Sequence, residues 1–228
     1  MSLSSFAASR AGRRFTAVVA AFAPLVFLVA EAITAVAWTA GTYDYGHNFI
    51  SDLGTTVCGS EFSGRDMCSP AHAVMNFGFV AMGLGVASTA ALLATRLPRG
   101  RRITATALGC FIALGMILVA TFHGGVESVD NGTIALHVLG AGIAISFGNS
   151  LAIITGANTA RLGFARWYRP TAISLGIVGL IGLVLLVSGL EFLDPAVFER
   201  ISVYAIFAWL LATSAAQLQA NRAAGGSE

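Results

Sequence analysis

Six apolar runs, each long enough to cross a bilayer, dominate the sequence. A hydrocarbon core takes about 20 residues of helix, and runs near 16–39, 71–94, 102–123, 132–156, 170–191 and 198–219 meet that length. The breaks between them have helix-boundary chemistry. Ser69-Pro70 and Asp194-Pro195 each read as an N-cap followed by Pro at the first helical position, and Arg169-Pro170 opens the fifth run. A Pro- and Arg-rich stretch at 96–102 separates the second and third. The expected fold class is therefore all-α: a polytopic membrane protein, a six-transmembrane-helix bundle with short connections.

Composition supports this. Charged residues make up 11% of the chain, against roughly 25% in soluble domains. A soluble domain, a disordered chain and a nucleic-acid binder are excluded, and no nucleotide motif is present. All 13 basic residues are Arg, which removes every mechanism that needs a Lys Schiff base.

Orientation follows from where those arginines fall. Arg10, Arg13, Arg14, Arg96, Arg99, Arg101, Arg102, Arg161, Arg166, Arg169 and Arg222 share one side; only Arg65 and Arg200 fall on the other. The expected protein is multi-pass in the cell membrane, with both termini cytoplasmic. Residues 1–15 form a cytoplasmic segment, 16–219 the six-helix domain and 220–228 a cytoplasmic tail. The first run is too long for a signal-peptide core and is read as an uncleaved span.

The one long connection, 40–70, lies between the first two spans and is expected as an outer cap loop. It holds Cys58 and Cys68, which an exported loop allows to oxidise to a disulfide.

Polar groups in apolar segments are costly and mark candidate sites. Glu31 lies about 12 Å below the outer interface at 1.5 Å per residue, and is a candidate proton or substrate group. The four histidines, His47, His72, His123 and His137, all fall toward the outer side. Imidazole beside Asp52 suits acid–base chemistry or a divalent metal such as zinc, with His72, His137, Asp52 and His123 as the ligand set. Ser69, His72 and Asn76 share one face of the second span, which adds Ser69 and Asn76 to the candidate substrate site.

The segments Asn48-Phe49-Ile50-Ser51-Asp52-Leu53-Gly54, Ser69-Pro70-Ala71-His72 and Met75-Asn76-Phe77-Gly78, with His137 early in the fourth span, resemble the prokaryotic membrane proteins of domain of unknown function 998. The resemblance covers roughly residues 16–215. Ser51, Asp52, Gly54, Ser69, His72, Asn76 and His137 fall on the family pattern, whereas Phe122-His123-Gly124 stands where the family more often has Phe-Pro. The I-S-D-x-G loop is more distantly similar to the damage-regulated autophagy modulators and to proteins that remodel glycosylphosphatidylinositol lipids, which implies a link to lipids.

Two main readings stay open. One is an enzyme acting on a lipid or lipid-linked substrate in the outer leaflet, with Ser51, Asp52, His72 and His137 as its catalytic set. The other is a non-catalytic membrane protein that binds a lipid or a protein partner. A small proton-coupled transporter using Glu31 is a third. Membrane lipids are the expected partners in the first two.

Overall fold

The computed structural model describes residues 2–190 and 192–223. Among them, six helices are long and apolar enough to cross a membrane. In chain order the helices are α1 (Leu3–Ala8), α2 (Arg10–Val36), α3 (His72–Ala94), α4 (Arg99–Thr121), α5 (Val126–Asp130), α6 (Ile134–Ala157), α7 (Thr159–Leu162), α8 (Tyr168–Val187) and α9 (Pro195–Ala223). The six long ones close into a ring. α2 packs on α3, α3 on α4, α4 on α6, α6 on α8, α8 on α9, and α9 back on α2. Direct contact between α6 and α9 leaves α8 at the periphery.

Helix boundaries follow local chemistry. α2 begins earlier than its apolar run because the Ser9 side chain accepts from Gly12 N at 3.0 Å. Asp194 Oδ1 accepts from Ala196 N at 2.9 Å with Pro195 as the first helical residue, so the Asp-Pro signal is a working cap. Ser69-Pro70 is not one. α3 starts at His72, and the Ser69 hydroxyl instead donates to Leu53 O at 2.6 Å. Pro170 sits inside the first turn of α8, where its missing N–H costs nothing because first-turn donors have no intrahelical partner.

Small residues let the spans approach. A Cβ on Gly140 would meet the Gly115 carbonyl oxygen, so α4 and α6 touch backbone to backbone. At one end of the bundle Arg96 ties three segments together through Ala7 O at 2.5 Å, Leu162 O at 3.3 Å and Gln217 Oε1 at 3.2 Å. Burial lowers its pKa to about 10.

The segment between α2 and α3 is more than a loop. It carries a 3-10 turn at Ile50–Gly54 and an antiparallel hairpin, β1 (Ser60–Phe62) and β2 (Arg65–Met67). Ser63 and Gly64 both take positive φ, 52° and 76°, at the two-residue turn. β2 alternates, with Arg65 and Met67 buried and Asp66 exposed. Cys58 and Cys68 form a disulfide across the base of the hairpin. This segment caps the end of the bundle opposite Arg96.

Candidate functional site

The cap is seated by three acidic side chains. Asp52 lies inside the 3-10 turn and reaches back to accept from Phe49 N at 2.9 Å. Arg65 then closes on it with two prongs, Nε to Oδ2 at 2.8 Å and Nη2 to Oδ1 at 3.2 Å. Its guanidinium also stacks 4.5 Å from the centre of the Phe49 ring. The hairpin explains the pairing, since pleat alternation sends residue 65 inward toward the turn. Glu199, from the first turns of α9, accepts from Ile50 N at 2.5 Å.

The third carboxylate is Glu31. It is 2% exposed, yet it is not alone: the Tyr204 hydroxyl lies 2.9 Å from both its oxygens, and Arg200 Nη2 lies 3.6 Å from Oε1. Arg200 also donates to Asn48 O and to the Tyr43 hydroxyl, each at 2.6 Å. The Tyr43 hydroxyl in turn donates to Phe49 O at 2.9 Å. Desolvation pushes the Tyr43 phenol above its ordinary pKa, so it stays a neutral donor. One chain of hydrogen bonds thus joins α2, α9 and the cap. A buried carboxylate without such partners would be strongly destabilising.

Two imidazoles have their tautomers set by backbone carbonyls. His137 Nδ1 lies 2.7 Å from Phe122 O, and His72 Nδ1 lies 2.9 Å from Ser69 O. A carbonyl only accepts, so Nδ1 carries the proton in each, and Nε2 of the neutral ring is an acceptor.

Under the cap is a cavity of about 640 Å³. Its polar floor, on the cap side, holds His47, Ser51, Asp52, Arg65, His137, Asp194 and Glu199. Its apolar walls come from α6 and α8. Val138 and Val187 belong to those walls and are 61% and 74% exposed, so the cavity opens on the outside of the bundle between the two helices. A narrower apolar chamber of about 60 Å³ lies at the bundle centre, walled by residues such as Phe27, Met82 and Ile206. Ser51, Ala141, Ile145 and Glu199 line both.

Among the residues singled out from sequence, His47, Ser51, Asp52 and His137 line this cavity. Asn76 and Ser69 do not line it; their side chains hold Gly54 O and Leu53 O and so support the turn from below. His72 stands with them. Glu31 lines neither space. His123 lines a separate hollow with Glu127, where burial, then the charge of His72, lowers its pKa and Glu127 partly offsets this. The expected zinc set does not fit an ion. Asp52 is spent on Arg65 and Phe49, and among the described residues no three His, Cys, Asp or Glu side chains are gathered to hold a metal. No hydrogen bond joins the Ser51 hydroxyl to an imidazole among the described residues, so no nucleophile–base pair is preassembled.

Arg65, Glu199, Arg200, Tyr43 and Tyr204 were not foreseen. The signal for two of them was present: Glu199-Arg200 is a charged pair inside an apolar run, and such residues need partners.

A ring of six apolar helices, closed at one end by a disulfide-stapled cap over a mostly apolar cavity with a polar floor, is the architecture of a polytopic integral membrane protein. The chain belongs to the family described as "Protein of unknown function (DUF998)", whose model matches residues 18–216. No curated protein and no solved structure matches it. The more distant likeness to the autophagy modulators and lipid-remodelling proteins rests on the I-S-D-x-G loop alone.

Proposed function

We propose that the protein sits in the cell membrane with its cap outward and both termini cytoplasmic, and that it binds a lipid or lipid-linked molecule with the head group under the cap. The cavity carries this reading. Its size is in the range of ligand sites, its floor is polar and its walls are apolar. It also opens sideways between α6 and α8, where a lipid tail would lie. The arginine asymmetry supports the orientation. Gly142 offers the test. It lines the cavity, and a Cβ there meets nothing within 4 Å, so Gly142→Phe fills the space without a clash at its base. Lipid extracted from the purified full-length protein should include a species retained at fixed stoichiometry and lost in the variant. Equal retention by both would overturn the reading.

His137 favours a second reading, an enzyme acting on the same molecule. A neutral imidazole held by a carbonyl at the polar floor of a cavity has the form of a general base. A His137→Gln variant that keeps the lipid but loses turnover of a lipid-linked substrate would establish it.

A further inference from the structure

The polar floor has spare acceptors and few spare donors. Asp52 accepts three hydrogen bonds, two from Arg65 and one from Phe49 N, and carries its own buried counter-charge. Asp194 is engaged by His47 Nδ1 at 2.7 Å and by Ala196 N at 2.9 Å. Glu199 is different in that only backbone N–H groups serve it. It accepts from Ile50 N on Oε2, with Ser51 N beside it, and no side chain among the described residues donates to it, which leaves about half of the four acceptor positions of a carboxylate. His137 is 7% exposed, gives its Nδ1 proton to Phe122 O, and so has an acceptor nitrogen left on a side chain that lines the cavity. The sole guanidinium in the lining is spent on Asp52. Three carboxylates stand against it.

An anionic head group would meet the Glu199 carboxylate, whose charge Arg200 offsets only from outside the lining, and would find the lining's one guanidinium already paired. A donor-bearing cation would find two acceptors in a partly desolvated space, where charge-assisted hydrogen bonds are at their strongest. We infer that the cavity selects a lipid whose head group carries a primary ammonium, admitted from the bilayer between α6 and α8, with the ammonium set against Glu199 and His137. The inference rests on the lipid-binding reading and adds the head-group chemistry.

The test uses the delipidated full-length protein in micelles, titrated by native mass spectrometry. The probes are phosphatidylethanolamine and phosphatidylglycerol with identical acyl chains. The wild type should prefer phosphatidylethanolamine by about tenfold or more, the scale of one charged hydrogen bond. Glu199→Gln keeps an oxygen for Ile50 N but removes the charge, and should cut that preference to about threefold or less. If this variant does not fold, His137→Gln takes its place and should reduce the preference in the same direction. Equal binding of both lipids that vanishes in Gly142→Phe would sink the ammonium inference and leave the lipid-binding reading standing. A preference for phosphatidylglycerol would do the same. Undiminished selectivity in Glu199→Gln would remove Glu199 from the site. Failure of both probes to bind the wild type would overturn the two together.

Discussion

Arg65 and Asp52, thirteen residues apart, meet through two hydrogen bonds of 2.8 and 3.2 Å with both side chains buried. The pair joins the hairpin to the 3-10 turn and so fixes the polar floor of the cavity. Removing one member strands the other charge in a dry place. Arg65→Ala and Asp52→Asn should each destabilise the protein by about 3–5 kcal/mol. Because the second replacement removes an already stranded group, the double variant should cost much less than the sum. Thermal unfolding in micelles measures all three; additive losses would mean that the pair contributes no coupling.

The Cys58–Cys68 bridge closes a loop of sequence separation 10 around the hairpin that delivers Arg65. Restricting a loop of that length in the unfolded chain stabilises by about 2–3 kcal/mol. Alkylation of unreduced protein should label neither residue, and Cys58→Ser with Cys68→Ser should lower Tm accordingly. Ready labelling of both in freshly isolated membranes would contradict the bridge.

His123 supplies a pH dependence with a definite sign. Its folded pKa lies below the ordinary value because it is partly buried and faces His72. Above about pH 6.5 the ring is neutral in folded and unfolded chains alike and contributes nothing. As pH falls through that value the unfolded chain takes up the proton first, so stability drops until the folded pKa is passed. Wild-type Tm should therefore fall as pH drops below about 6.5, and His123→Asn should flatten the fall. Parallel curves would exclude His123 as the cause.

Topology is open to direct measurement. Reporter fusions placed after residue 60 and at the C-terminus should give opposite signals, with the first on the external side. Matching signals are incompatible with six crossings.

The spans were legible because bilayer thickness forces a minimum apolar length, and Asp194-Pro195 marked a helix start correctly. The hairpin was not. Ser60-Glu61-Phe62 and Arg65-Asp66-Met67 show no apolar alternation, since the buried side of β2 is half guanidinium. Asp52 stood out in the sequence, but its partner did not, because an arginine in a loop reads as a solvent-facing charge. Arg200 was weighed for orientation only, although its place near the start of the last span puts it beside Glu31, 3.6 Å away. His72 shows the converse. It was expected to share a helix face with Ser69 and Asn76, but α3 begins at His72, so Ser69 precedes the helix; the Ser69 and Asn76 side chains support the turn from below instead of lining the cavity.

The hydrogen bond between Tyr204 and Glu31 spans 173 residues of sequence. Its partners belong to the first and last spans, so their order of emergence from the ribosome matters. Glu31 enters the bilayer early, and both side chains that neutralise it are made last. At about 5–20 residues per second, the acid waits on the order of 10–30 seconds for them. Glu199, which holds the cap through Ile50, arrives at the same moment. Insertion of the final span therefore completes the ring, neutralises Glu31 and seats the cap in one step. A chain that stalls after five spans leaves Glu31 without Tyr204 or Arg200.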